Sequence, residues 1–298
     1  MERHIPVLRD KVVEVLRPKP GEVFIDLTAG FGGHSAALLD HVGQHGKGIM
    51  LDQDPEAIAA LQERFEGKPN VQIVKANFAG IDALGLPKAD MILADIGVSS
   101  VQLDRSERGF SFSHDGPLDM RMDTTTGETA ADLIAGETES DLADILYQYG
   151  EERQSRRIAK AIVEARKVST ITSTAQLAQI VEMAIGRHGK HHPATRTFQA
   201  LRIAVNDELG ALERMLPRAI AKLKPGGRLA VITFHSLEDR VVKNYFRSLV
   251  KPAKNDMGHD VSVPEFKLVT KKPISGLDEK DTNPRARSAK LRAVEHIK

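Results

Sequence analysis

Two carboxylates, Asp52 and Asp95, each close a short apolar run in the first hundred residues, and a glycine-rich turn, TAGFGGHS at 28–35, follows an earlier run over Val23, Phe24 and Ile25. Glycines placed directly after a strand let backbone come close to a ligand, and a helix that starts there aims its free amides at it. Asp52 stands nineteen residues beyond Gly33, near the spacing at which an acid reaches the ribose hydroxyls of an adenosine cofactor. These residues predict a nucleoside site without naming the nucleoside. The turn is weak evidence alone, because glycines also serve tight strand-to-helix geometry. Two ligands remain open: a dinucleotide would set its pyrophosphate on the helix N-terminus, whereas S-adenosylmethionine would present an amino acid and a sulfonium there.

The elements that must position these residues alternate strand and helix, the pattern of a parallel sheet covered on both faces. After the glycine turn, SAALLDHV at 35–42 suits an amphipathic helix, and Gly48–Leu51 make a second strand that delivers Asp52. Asp54 then reads as an N-cap with Pro55 at the first helical position, and Ile58, Leu61 and Phe65 share one face. Val71–Val74 and Met91–Ala94 supply two more strands, with Phe78 and Asp95 beyond their carboxyl ends. Ligands of open α/β sheets lie at such ends, so Gly32, Asp52, Phe78 and Asp95 should converge on one crevice. Phe78 is the candidate adenine wall, with core packing as its ordinary alternative.

With 298 residues, the chain can bury one extended α/β core carrying an insertion. It has no cysteine, which excludes disulfides, thiolate catalysis and cysteine zinc sites and fits a reducing compartment. The opening MERHIPVLRD lacks an apolar signal core, and no run approaches a membrane span, so a soluble cytoplasmic protein with no membrane partner is expected. The net charge of +1 conceals an uneven distribution: residues 1–150 hold 13 Lys and Arg against 25 Asp and Glu, while residues 151–298 hold 29 against 16. A basic second half is available to a polyanion, unless the two halves neutralise each other across an internal interface.

Residues 96–123 show little helical or alternating pattern yet carry Phe110, Phe112, Leu118, Met120 and Met122, which a solvated linker rarely does. Beyond Thr124, apolar residues fall at i, i+3, i+4, i+7 in three runs starting at Leu142, Ile158 and Leu177, and Ser173 with Gln176 forms a capping box for the third. Helices without strands inside an α/β chain predict an inserted subdomain. It carries Arg153, Arg156, Arg157, Lys160, Arg166 and Lys167, then Arg187, Lys190 and Arg196. His188, His191 and His192 invite a metal check, but neighbouring glycines and proline favour a basic loop, and no metal is expected. A further helical stripe runs from Leu209 to Leu223 with Pro217 as a kink or a new start; Lys224–Gly227 then turn into a strand over Arg228–Phe234. His235–Arg240 open another helix, and Phe266–Thr270 with Leu291–Ile297 predict a terminal hairpin.

Taken together, HIPVL at 4–8, TAGFGGHS at 28–35, DIGVSSVQLD at 95–104, RGFSFSHDGPLDMRMD at 108–123, FHSLEDR at 234–240 and NPRARSAKLR at 283–292 closely resemble the bacterial small-subunit (16S) ribosomal RNA methyltransferase H family, also called MraW. The resemblance spans nearly the whole chain, and the 95–123 signature is its most specific part. It implies an α/β fold, a Rossmann-like class I methyltransferase sheet with an inserted helical subdomain, here 1–109 and 207–298 around 110–206. It also implies S-adenosyl-L-methionine as donor and the exocyclic N4 of a decoding-region cytidine as acceptor. The partner would be 16S ribosomal RNA, in the assembled small subunit; a homodimer is compatible with the sequence but not required by it. The family's donor contacts fall on Gly32, Gly33, His34, Asp52, Phe78, Asp95 and Gln102, the last of which spacing alone does not single out. Many amino methyltransferases carry an acidic or amide residue, two prolines and an aromatic after the fourth strand, whereas Asp95-Ile96-Gly97-Val98 stands here, as in the family.

For methyl transfer to such an amine, Asp95 is the first candidate acceptor of a proton, with Ser99 and the carbonyls of 95–98 behind it. Holding the donor is the equal alternative for Asp95. The chain has no Trp, so Phe110, Phe112 or Arg108 would stack on the base, with core packing the at least equal alternative for both phenylalanines; Asp119 and Arg121 would read its edge, and Arg153, Arg156 and Arg157 would hold phosphates. An NAD-dependent dehydrogenase shares the glycine turn and Asp52 but leaves the 95–123 signature unexplained, and a non-enzymatic assembly factor would use the basic half without the donor.

Overall fold

A computed structural model describes residues 6–187, 192–252, 262–281 and 283–298. In chain order it begins with α1 (Arg9–Leu16), β1 (Val23–Asp26), α2 (Gly33–Val42), β2 (Lys47–Asp52), α3 (Pro55–Arg64), β3 (Val71–Lys75) and β4 (Ala89–Asp95). Helices follow: α4 (Ser100–Asp104), α5 (Ala130–Gly136), α6 (Glu139–Gly150), α7 (Ser155–Val168), α8 (Thr174–Ile185), α9 (Thr195–Asn206) and α10 (Glu208–Ala221). The chain ends in β5 (Leu223–Thr233), α11 (Ser236–Leu249), β6 (Phe266–Leu268), β7 (Ile274–Ser275) and β8 (Lys290–His296). Two compact units result, Met1–Gly97 with Leu209–Lys298, and Val98–Glu208. None of the described helices is long and apolar enough to cross a membrane.

The first unit is built on one sheet of strand order β3-β2-β1-β4-β5-β8-β6, with β7 on β8. β3, β2, β1, β4 and β5 are parallel, and β8 runs antiparallel to β5 and β6. Successive side chains of a strand point to opposite faces, and here both faces are covered. Ile25, Ile49, Leu51, Ile92, Leu229 and Val231 pack with Leu212 and Leu216 of α10 and Val242 and Phe246 of α11. Phe24, Met50, Met91, Leu93, Ala230 and Ile232 pack with Val12 and Leu16 of α1, Leu38 and Val42 of α2 and Leu61 of α3. Continuous burial explains why the central strands read as apolar runs without alternation. From β1 the strand order proceeds outward both ways, to β2 and to β4, which makes the β1/β4 edge the switch point where ligands of such sheets bind.

Several sequence expectations change here. The tract 224–227 is not a turn before a strand: β5 already starts at Leu223, and Gly226, at φ 81°, sits in an irregular stretch of its pairing with β4. Leu223, read as the end of a helical stripe, is therefore a strand residue, and Pro217 lies within α10. The terminal hairpin forms from β6 and β8, but β8 also pairs β5 and so joins the main sheet.

The second unit holds the remaining helices around Leu142, Leu146, Ile158, Ile162, Leu177, Val181, Phe198 and Leu201. Its start lies at Val98, a dozen residues before the predicted 110, because the 95–123 segment is structured. α4 and a 3-10 turn at Ser106–Arg108 occupy its first part. Its second part is core: Phe110, Leu118, Met120 and Met122 are all buried with the helices. Backbone bonds fasten it, Leu118 N to Thr172 O at 2.9 Å and Ala130 N to Asp119 O at 2.7 Å. The Asn206 side chain adds two, accepting from Met122 N and donating to Met120 O, both at 2.8 Å. The predicted capping box of Ser173 and Gln176 is present at the head of α8.

The uneven charge of the two sequence halves does not map onto these units. Val98–Glu208 contains 13 Lys and Arg against 17 Asp and Glu, so the insertion carries a net −4 and the basic excess belongs to the sheet unit.

Candidate functional site at the tips of the sheet

Three apolar strands deliver three carboxylates to the switch point: Asp26 from β1, Asp52 from β2 and Asp95 from β4. Asp26 is buried and was not singled out from the sequence, where it reads as the last residue of an apolar run. Its Oδ2 accepts from Ser35 Oγ at 2.6 Å and its Oδ1 from Thr28 N at 3.3 Å, tying the strand to the first turn of α2. Burial pushes the Asp26 carboxyl up, and the Ser35 hydroxyl only partly offsets it. Thr28 completes the link across the switch point, its Oγ1 accepting from Asp95 N at 2.6 Å.

The glycine turn is held from two sides. Gly30 N donates to Asp52 Oδ2 at 2.8 Å, and an Arg64 guanidinium donates to Phe31 O at 2.7 Å. Gly30 has φ 51°, and a Cβ built on it would meet nothing within 4 Å, so its backbone borders open space. Gly32 and Gly33 differ. A Cβ on Gly32 would lie 2.6 Å from the Phe65 ring, and one on Gly33 would strike Pro6, so close packing within the protein already requires both to be glycine. Gly32 caps α2 in the left-handed region without any side-chain hydrogen bond to the helix end. The first turn of α2 thus keeps amides available to an anionic or polar group.

Asp52 accepts from Asp54 N at 2.9 Å as well as from Gly30 N, yet its pKa is pushed up to about 6. Loss of hydration is the chief cause; the two amides oppose it, and the nearby Asp54 and Asp26 carboxylates add to it. A carboxylate in this state gains from any hydroxyl that donates to it. Asp54 caps α3 as predicted, accepting from Glu56 N at 3.0 Å. Phe78 is half-buried against the core at the start of a 3-10 helix, behind Asn77, whose amide binds Gln53 at 2.7 Å.

His34 and Asp95 stand together, Nε2 to Oδ2 at 3.5 Å. Both ring nitrogens of His34 and Asp95 Oδ1 are shielded from water and have no hydrogen-bond partner among the described residues. Leaving a buried polar atom unsatisfied costs about 1–3 kcal/mol, and native proteins rarely accept it. Three such atoms at a switch point beside an open glycine turn suit a polar nucleoside that would satisfy them.

The other predicted residues lie in the helical unit. Ser99 and Gln102 form a capping box for α4: Ser99 Oγ accepts from Gln102 N at 3.2 Å, and Gln102 Oε1 accepts from Ser99 N at 2.9 Å. Phe110, Arg108, Asp119 and Arg121, expected at the base, all make contacts within their own unit. Phe110 is a core residue, 6% exposed, and offers no face for stacking. Arg108 is buried, donates to the carbonyls of Arg121 and Met122 at 3.1 Å each, and lies 5.8 Å from the Phe110 ring centre, so it clamps its own segment. Asp119 and Arg121 bind each other through two 2.8 Å bonds. Burial pushes the Asp119 carboxyl up, but those guanidinium bonds outweigh it and hold it below the ordinary value. Phe112 is half-buried, packed on His192 and Phe198 with ring centres 4.6 and 4.8 Å away. Arg153, Arg156 and Arg157 are exposed, two of them in the first turn of α7. Of the three clustered histidines, His188 and His191 lie outside the described residues, and His192 accepts from Ala194 N at 3.1 Å.

A family model and relatives of high identity match nearly the whole chain. A family model described as the MraW methylase family matches residues 1–297. Ribosomal RNA small subunit methyltransferase H of Heliobacterium modesticaldum is 50% identical over 309 residues, covering 99% of each chain. The protein of that name from Symbiobacterium thermophilum is 50% identical over 305 residues, covering 98% of this chain and 96% of its own. That from Geobacter sp. strain M21 is 48% identical, covering 99% and 98%. Among solved structures, a putative rRNA-methylase from Clostridium thermocellum superposes with a TM-score of 0.49 at 12% identity, covering 99% of both chains.

Proposed function

Since the chain belongs to the MraW methylase family, we propose that it transfers a methyl group from S-adenosylmethionine to the exocyclic N4 of a cytidine in the decoding region of 16S ribosomal RNA. The observation that carries the donor part is the set of unpartnered buried atoms on His34 and Asp95 at the β1/β4 switch point. The acceptor part rests on the names of the relatives and on the sequence signatures at 95–123 and 283–292.

In this reading, Asp52 accepts the ribose hydroxyls, Phe78 borders the adenine, and the open side of Gly30 with the uncapped start of α2 receives the amino-acid portion. Gly32, Gly33 and His34 shape that turn. Bound there, the donor supplies a methyl on a positively charged sulfur, which needs no acid catalysis to leave. The protein's task is to bring the amine within about 3 Å in line with that methyl and to accept its proton. The cytidine N4 lone pair is delocalised into the ring, so an acceptor for the amine proton favours the pyramidal geometry of attack. This reading gives that role to Asp95 Oδ1, supported by the Thr28 bond that holds its backbone and by His34 beside its other oxygen. Ser99 and Gln102 order the chain just after Asp95 through their capping box. Arg153, Arg156 and Arg157 hold phosphates of the substrate, and Phe112 stacks on the base.

The test is to incubate the protein with labelled S-adenosylmethionine and small ribosomal subunits lacking the modification, then map the labelled nucleotide. Label on N4 of one decoding-region cytidine is expected. Label elsewhere, or transfer to naked RNA in preference to subunits, would sink the corresponding part of the proposal.

A further inference from the structure

We propose that the outer face of α11, in the sheet unit, is a docking strip for RNA phosphates; this rests on reading the protein as an RNA-modifying enzyme. α11 buries Leu237, Val242 and Phe246 against the sheet. Its opposite face carries Lys243 and Arg247, and Lys251 follows one residue past the cap, where its amide still turns back to Ser248 O at 3.3 Å. These cations recur at i, i+4 and i+8, so they form one row spanning about 12 Å at 1.5 Å per residue. Arg240 lies on the same face one turn earlier.

Among the described residues, nothing calls for such a row. Like charges four residues apart on a helix repel, and here two such pairs follow in succession. The carboxylate that stands four residues before Lys243 is Asp239, but it is taken by Arg292 at 2.7 and 3.2 Å and by Lys290 at 3.3 Å. Glu238 is buried and accepts from Phe234 N at 2.8 Å and His235 N at 3.2 Å. Lys243, Arg247 and Lys251 have no ion-pair partner among the described residues. A cation in the last turn offsets the helix dipole, which accounts for Arg247 alone. A row of repelling charges without ion-pair partners among the described residues is stabilised by an external polyanion.

The residues interleaved with the cations identify which polyanion. Asn244 and Ser248 are exposed between them. A helix that lies on a lipid surface needs large apolar residues beside its cations, and this face has none; amide and hydroxyl groups beside cations match phosphate oxygens of a nucleic acid strand. The expected basic insertion, at net −4, leaves the excess of positive charge in this unit.

The test compares the wild type with Lys243→Gln/Arg247→Gln/Lys251→Gln and with the charge-keeping Lys243→Arg/Arg247→Lys/Lys251→Arg. Binding to protein-free small-subunit ribosomal RNA is measured across salt concentrations, with S-adenosylmethionine calorimetry as the check on folding. Each phosphate contact contributes about 0.7–0.9 to the slope of log affinity against log salt, so the neutral variant should lose roughly 2 to 3 from that slope and the charge-keeping variant should lose nothing. An unchanged slope in the neutral variant, with wild-type RNA binding intact, overturns the strip while leaving the enzymatic reading standing. A wild type whose RNA binding ignores salt overturns both. Loss of binding to phosphatidylglycerol vesicles with RNA binding untouched assigns the face to membranes and also overturns the proposal.

Discussion

In the sheet unit, both ring nitrogens of His34 and Asp95 Oδ1 make no hydrogen bond among the described residues, and Gly30 borders open space. In the helical unit, most polar groups of the 95–123 signature engage their own neighbours: Asp119 grips Arg121, Arg108 holds two carbonyls through one nitrogen while its buried Nε has no hydrogen bond among the described residues, and Ser99 and Gln102 cap a helix. A signature of equal specificity in sequence therefore does two different jobs. At the strand tips it leaves groups for a ligand to satisfy, whereas in the helical unit it builds a shape. The exposed surface of that shape includes the arginines around the start of α7.

The comparison breaks first on Phe110. If its ring is core, Phe110→Ala should cost about 3–5 kcal/mol in denaturant unfolding, the range for a large buried aromatic; a loss below 1 kcal/mol would return it to the surface and reopen the base-stacking role. Asp95→Asn tests the opposite unit. Single-turnover methyl transfer should fall on the order of 100-fold or more with donor affinity reduced far less, as expected for a lost proton acceptor. Weakened binding with unchanged chemistry would retire Asp95 to a donor-holding residue.

Asp52 sharpens the comparison through pH. Its carboxyl titrates near 6 in the folded chain against 3.8 in the unfolded one. Because the folded value is raised, the stability linked to Asp52 is fully present below about pH 3.8 and is lost as pH rises through about 6. Donor binding runs the other way, since ribose hydroxyls require the ionised form: affinity should drop up to tenfold per pH unit below about 6, and Asp52→Asn should flatten that dependence. Calorimetry from pH 5 to 8 reads it, and a flat wild-type profile would remove Asp52 from the donor site. The smallest effect per residue is expected around the start of α7. Replacing Arg153, Arg156 and Arg157 by Ala should make the salt dependence of RNA binding shallower by about 2 to 3, with melting temperature unchanged. Comparing that loss with the one from α11 ranks the two basic faces.

Much of the sheet was readable because its signals are local. Apolar runs at Val23, Gly48, Val71 and Met91 became β1 to β4, Asp54 with Pro55 started α3, and Ser173 with Gln176 capped α8. Each depends on residues within a turn or a strand of one another, where spacing and propensity decide. The same holds for the placement of Asp52 and Asp95 at strand ends. The recognisable segments extended this to the family, which no periodicity could have done.

What spacing could not decide was which polar atoms would be left open. Asp95 is anchored by Thr28, 67 residues earlier, and Met122 by Asn206, 84 residues later. Asp26 hid in an apolar run because a carboxylate buried beside Ser35 and Thr28 has no signature until those groups are brought to it. Charge was misplaced for a related reason: sequence halves are not folded units, and the cations of the last ninety residues return to the sheet. Residue type and local order thus determined the strands, the caps and the candidate acids. Burial and long-range hydrogen bonding, which exist only once distant segments meet, decided that His34 and Asp95 keep buried atoms without a hydrogen bond among the described residues while Phe110 becomes core.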